Sequence, residues 1–269
     1  FPTFQVHDIV IQQEEATRFL LVGRNPYQEN YFGTPLEKWH YSDTEKNPAL
    51  YHFVMQPFYV LFAIPFSALS GRVLGYFDGR FPLLFLFLSS LVLAFLLLKD
   101  GEKRRSFVLL LAFNPLMVKY TLEGRSDFFM YGFLFAGLYL LYRGKFYLSA
   151  VGTALAFAVK QSAWPLLPFY AAYLLYKVKD RRKLLKILCL FTLTFSVIIL
   201  PFFLWNPKAF IDSTILYLSG NVIHSYPVSG YGFGALLNQL GVIKNVHDNF
   251  PFFIFQILIG APLLIYLTR

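Results

Sequence analysis

The chain has 269 residues, of which 57% are hydrophobic, 20% aromatic and only 14% charged. That is too apolar for a soluble domain of this length, and the long apolar runs point to one polytopic membrane bundle. The lone cysteine, Cys189, excludes an internal disulfide. The net charge of +9 lies in clusters between apolar runs, a pattern of membrane orientation and anionic-lipid contact rather than of nucleic-acid binding.

The first residues read as mid-protein sequence, with no starting Met and no signal peptide, so a fragment lacking at least one N-terminal transmembrane helix is expected. Asp8 stands where that helix would emerge. From Gln12 to Val22 the pattern predicts an amphipathic helix: Ala16, Phe19 and Leu20 fall at i, i+3 and i+4, opposite Glu14, Thr17 and Arg18. "GRNPY" is predicted to end it, with glycine at the C-terminal cap and proline after it. Residues 51–70 are apolar but broken by Pro57 and Pro65. They predict a re-entrant or interfacial hairpin, or short helices, on the outer side.

Stretches near 20 apolar residues are the unit of a membrane crossing. About seven spans are predicted: 81–98, 106–120, 128–142, 147–163, 164–178, 188–205 and 251–268. The connections "KDGEKRR" (99–105), "RGK" (143–145) and "KVKDRRKLLK" (177–186) carry 4, 2 and 6 of the 24 Lys and Arg. If the spans alternate as given, all three fall on one side, which the positive-inside rule makes cytoplasmic. The outer side then holds residues 1–80, the turn "LEGRSD" and the loop 206–250. The whole is expected to be one all-α transmembrane domain over 1–269, with spans over 81–205 and 251–269.

Charge between apolar runs is costly to bury, about 2.5–3.5 kcal/mol per group on insertion scales. Glu123, Arg125 and Asp127 therefore mark either a turn in water or a site. Glu123 and Asp127 would share a face if the turn were helical, and the planar fork of Arg125 suits phosphate. Ser126 or Asp127 equally suits a cap for the following span, and the two roles are compatible. Lys160, about one turn from the outer end of its span, either snorkels or holds an anionic headgroup. His52 and His224 are further candidates, although a lone histidine is more often structural. There is no Walker loop, CxxC pair, HExxH or GxSxG.

Taken in order, these pieces resemble one family. An Asp after a first span, "G-x-NPY", a broken apolar segment, "NP(x)8G-x-x-D", "LYLLYRGK" and "ALAFAVK(x)4P" are similar to the GT-C glycosyltransferases. The nearest kin by this resemblance are polyprenyl-phosphate-dependent mannosyltransferases: the bacterial alpha-1,2-mannosyltransferase group and the catalytic subunit of GPI mannosyltransferase I. The likeness runs from about Asp8 to Pro168. It implies a polytopic bundle that moves a hexose, mannose first among them, from a polyprenyl-phosphate donor to a lipid- or glycan-linked acceptor, with inversion. The setting it implies is the outer face of a prokaryotic plasma membrane.

Carried over residue by residue, the resemblance makes Asp8 the general base. It places Glu123, Arg125 and Asp127 on the second outer turn near the substrate and Lys160 at the later lysine-then-proline motif. His52 and His224 would supply further positive charge at the phosphate. The stretch reads His7-Asp8-Ile9-Val10 rather than Asp-x-Asp, so a divalent metal is an option and not a requirement. Tyr27, Trp39, Trp164 and Tyr226 fit an interfacial aromatic belt better than sugar stacking. A lipid-linked-sugar flippase or other transporter would need polar residues at mid-membrane depth, which the spans lack. A polysaccharide polymerase or ligase shares the donor chemistry and is separated from this reading only by the resemblance. A scaffold without catalysis predicts outer charges that do not converge.

Overall fold

The computed structural model describes residues 6–40, 45–228 and 232–268, and among them every regular element is helical. In chain order the α-helices are α1 (Asp8–Leu21), α2 (Phe58–Leu61), α3 (Ile64–Val73), α4 (Arg80–Leu97), α5 (Gly101–Ala112), α6 (Pro115–Glu123) and α7 (Ser126–Tyr142). They continue with α8 (Phe146–Phe157), α9 (Leu167–Lys177), α10 (Arg181–Trp205), α11 (Pro207–Ile211), α12 (Tyr217–Ser219), α13 (Phe233–Gln239) and α14 (Phe252–Thr268).

Two of these, α4 and α10, are long and apolar enough to cross a membrane. The apolar stretches Phe58–Val73, Ser126–Tyr142, Phe146–Phe157 and Phe252–Leu267 are shorter. Helices of full length therefore do not reach the expected count of seven, and the breaks have local causes. The run expected as 106–120 splits at Asn114, whose Oδ1 accepts from Leu116 N and Met117 N while Pro115 starts a new helix. An asparagine cap followed by proline is a strong restart signal. The run expected as 147–163 stops at Phe157, and Lys160 is extended (φ −152°, ψ 136°) ahead of a 3₁₀ turn over Gln161–Leu166. Lys160 thus stands beyond its helix rather than on its last turn.

The helices alternate in direction around a common end. Arg80 Nη1 donates to Leu122 O, and Gly132 packs on Leu86 further along, so α4 and α7 run parallel from the same level. α8 returns against α7. A Cβ on Gly137 would lie 2.5 Å from Thr153 Oγ1, and one on Gly152 3.1 Å from Gly137 Cα. Only glycine lets these backbones approach so closely. At the far end Lys183 Nζ lies 5.4 Å from the Phe146 ring centre, which joins the 177–186 connection to 143–145. The basic connections 99–105, 143–145 and 177–186 therefore follow the distal ends of α4, α7 and α9, opposite the end where α1 packs.

Residues 58–73 take the second of the two expected forms, the short helices α2 and α3. Phe62 and Ala63, between α2 and α3, keep right-handed helical dihedrals. The chain passes from α2 into α3 there. It still begins and ends at one level: Phe58 N donates to Ala158 O, and Gly79 N donates to Glu14 Oε1.

Helix α1 ends as its sequence predicts. Gly23 takes φ +76°, Arg24 N donates to Phe19 O and Gly23 N to Leu20 O, a Schellman stop. Its faces do not follow the expected amphipathic split. Gln12, Gln13 and Thr17 are fully buried, and Glu15 is buried as well. Gln12 Nε2 donates to Ala49 O and His52 O, and Gln13 Nε2 to Tyr59 O. The polar side of α1 thus fastens α2 and the segment before it instead of facing water, because backbone carbonyls there supply the partners.

Candidate active site

One cavity of about 240 Å³ opens where α1, the start of α7, the linker after α8 and the segment 217–226 meet. It is lined by Asp8 and Gln12 from α1, Arg125 and Asp127 from the α6–α7 turn, and Lys160 and Gln161 from the linker, with Tyr217 and Tyr226 above. Asp8 thus shares one space with Arg125 and Lys160, each more than 100 residues further along the chain, at the end of the bundle opposite the basic connections.

The turn that brings Arg125 here depends on Gly124. It takes φ +81°, Arg125 N donates to Tyr120 O, and Gly124 N donates to Thr121 O. A Cβ at Gly124 would overlap the side chain of Val10 on α1. His7 N donates to Glu123 O at 2.7 Å, so the residue before Asp8 is tied to the same turn. Because the chain reverses at Gly124, Glu123 and Asp127 do not share a helical face. Glu123 takes Arg125 Nε at 2.7 Å and lies near Lys119 Nζ at 3.7 Å, outside the cavity lining. The Arg125 guanidinium also covers the Tyr120 ring at 4.6 Å. Its Nη atoms make no hydrogen bond among the described residues. Neither Ser126 nor Asp127 caps α7: the N-cap is Arg125, with no side-chain bond. Asp127 instead pairs with Lys160, Nζ to Oδ1 at 2.6 Å, and the same Nζ lies 3.2 Å from Ser126 Oγ.

Asp8 is 13% exposed and both carboxylate oxygens are engaged. His7 Nδ1 lies 2.6 Å from Oδ1, and Asn47 Nδ2 donates to Oδ2 at 2.9 Å. His7 Nδ1 is also 3.3 Å from Ile9 N, but a single ring nitrogen cannot donate to one and accept from the other. The shorter, charge-assisted contact is the stronger and decides in favour of Asp8. Burial acts to raise the Asp8 carboxyl. The bonds from His7, Asn47 and Ile9 N, with the His7 charge, outweigh it and hold the group below the ordinary aspartate value. At neutral pH Asp8 is an oriented carboxylate.

His52 and His224 sit outside the cavity lining. His52 Nε2 lies 3.1 Å from Ile223 O, and burial lowers its proton affinity, which makes it a poor cation at neutral pH. His224 stacks on Tyr51 with ring centres 3.8 Å apart. Both fasten the 217–226 segment to the 51–52 loop. Of the four aromatics, Tyr226 lines the cavity, and Tyr27 is core: its ring packs on Phe53 and Phe210 and its hydroxyl donates to Met55 O. Trp39 lies against His7, and Trp164 Nε1 donates to Phe157 O.

Sequence reasoning missed Asn47, Gln161 and Tyr217. Gln161 Nε2 donates to Val54 O at 2.9 Å and to Thr214 O at 2.6 Å, joining three separate segments above the cavity. Among the described residues no three of His, Cys, Asp and Glu converge to hold a metal ion. Asp8 is paired with Asn47 and His7, and Asp127 with Lys160.

The site is thus a polar, two-signed pocket at one end of an apolar helical bundle. Residues 52–176 match the family model described as alpha-(1->6)-mannopyranosyltransferase, N-terminal domain. That match supports a mannosyltransferase family. It covers Arg125, Asp127 and Lys160 and begins after Asp8. No curated protein and no solved structure matches the chain.

Proposed function

We propose that the protein is a membrane mannosyltransferase that moves mannose from a polyprenyl-phosphate donor to a hydroxyl of a lipid- or glycan-linked acceptor, with inversion. The observation that carries the reading is the meeting of ionised Asp8 with Arg125 and Lys160 in one cavity, at the end of the bundle away from its basic connections. Asp8 takes the proton of the acceptor hydroxyl as its oxygen attacks the anomeric carbon. The bond to the phosphate breaks on the opposite face, and Arg125 and Lys160 stabilise the charge that develops there. Glu123 and Asp127 hold these cations in place until the phosphate arrives. The apolar helices carry the polyprenyl chain in the bilayer, and the site faces the extracytoplasmic side by the positive-inside rule.

The test is transfer of labelled mannose by purified protein in detergent or nanodiscs, with polyprenyl-phosphate mannose and a nucleotide-diphosphate mannose offered separately. The reading predicts transfer from the lipid donor alone. Transfer from the nucleotide sugar, or movement of the lipid-linked sugar across a vesicle membrane without transfer, would replace it.

A further inference from the structure

Asp8 is bracketed by two donors from different parts of the chain. A nitrogen and a carboxylate oxygen 2.6 Å apart, as His7 Nδ1 and Asp8 Oδ1 are, must hold a proton between them. His7 is fixed at its backbone as well as its ring. Its N–H donates to Glu123 O, and its ring lies 6.2 Å from that of Trp39, whose Nε1 in turn donates to Val6 O. The histidine that touches Asp8 is therefore tied to the turn that carries Arg125.

We infer that His7 is a positioning residue for Asp8: through Nδ1–H it fixes the direction of the carboxylate, so that an unused lone pair of the carboxylate meets the acceptor hydroxyl. The inference rests on the reading of Asp8 as the base. The His7 proton stays on its ring throughout, and the acceptor's proton ends on Asp8. Among the described residues the other charged or titratable groups facing this pair are Arg125 from the α6–α7 turn, Asp127 from α7, Lys160 from the linker, Tyr217 and Tyr226 from the segment above, and Tyr59 from α2. Asn47 is neutral, so removing His7 leaves Asp8 with burial as the main influence and only one side-chain donor.

Three variants in the mannosyl-transfer assay test this, each followed over pH. His7→Ala should lower kcat about tenfold to a hundredfold, the range for losing a hydrogen bond to a charged group. The donor KM should not change, and the acid limb of the profile should move to higher pH. His7→Asn places an amide N–H where Nδ1 stood and should restore most of kcat and the position of the limb. His7→Phe keeps a ring against Trp39 without the donor and should behave as His7→Ala, which covers the case of an alanine variant that does not fold. A wild-type profile in His7→Ala and His7→Phe would overturn the inference. So would a His7→Asn enzyme as slow as His7→Ala, because the ring would then act through its other nitrogen. Asp8→Asn in the same assay separates the two claims. Inactive Asp8→Asn beside normal His7→Ala removes only the role of His7, and active Asp8→Asn removes the base assignment and this inference with it.

Discussion

Lys160 Nζ and Asp127 Oδ1 lie 2.6 Å apart, joining the linker after α8 to the first turn of α7 at the rim of the cavity. The close passage of α7 and α8 at Gly137 and Gly152 makes this pairing available. The carboxylate is 54% exposed, so the pair adds at most about 1 kcal/mol to stability.

Lys160→Ala should therefore leave thermal stability nearly unchanged while raising the donor KM about tenfold or more. The acceptor KM should hold. Equal effects on both substrates would show that the lysine merely closes the rim.

Arg125 should be less replaceable. Its Nε holds Glu123 and its plane covers Tyr120, leaving both terminal nitrogens for a phosphate. A lysine cannot divide these tasks, because it is a point charge without the fork. Arg125→Ala should impair donor use at least as much as Lys160→Ala, and Arg125→Lys should recover only part of it. Donor titrations of the two variants side by side check this, and full recovery by lysine would contradict the bidentate role.

The turn "LEGRSD" was legible because its signals are local. Glycine after an apolar run with charge on both sides reads as a helix stop at a water boundary, and Gly124 with φ +81° is that stop. The pairing of Lys160 with Asp127 was not legible, because it depends on how α7 and α8 pack. The inward polar face of α1 was hidden for the same reason: nothing in the local sequence shows that Ala49 O, His52 O and Tyr59 O lie beside Gln12 and Gln13. Asn47 and Gln161 carry no motif and act only through partners distant in sequence. His52 and His224 were chosen by residue type, whereas their contacts with Ile223 O and the Tyr51 ring join segments distant in sequence that only the fold brings together.

Gly124→Ala tests how the site is assembled. The new methyl would meet both a left-handed backbone and Val10. Expected losses are about 1–3 kcal/mol, from the backbone conformation and the overpacking together. Because Val10 is part of α1, activity should fall along with stability. Unchanged melting in this variant would mean that α1 packs differently from the arrangement described.

Glu14 gives a pH dependence of stability that is separate from catalysis. Burial, opposed by the bond from Gly79 N and increased by nearby Asp78, raises its carboxyl from 4.5 to about 7. Between those values the folded chain holds a proton that the unfolded chain has released. The contribution is fully present below about 4.5 and is lost as pH rises through about 7. Glu14→Gln should remove this loss and stabilise the protein by about 1–3 kcal/mol at pH 8, with transfer activity close to wild type. Melting curves at pH 5 and pH 8 check it; equal shifts at both would contradict the assignment.

The most direct measurement of the central claim is the rate of mannosyl transfer from polyprenyl-phosphate mannose by Asp8→Asn, with Glu14→Gln and Glu15→Gln on the same helix as controls. The amide nearly matches the carboxylate in shape but cannot take the acceptor's proton. The account predicts a folded protein whose transfer falls by about 10²–10⁴-fold, while both controls stay within a few-fold of wild type. Near-normal turnover by Asp8→Asn would contradict it and move the base to Asp127, the other carboxylate that lines the cavity.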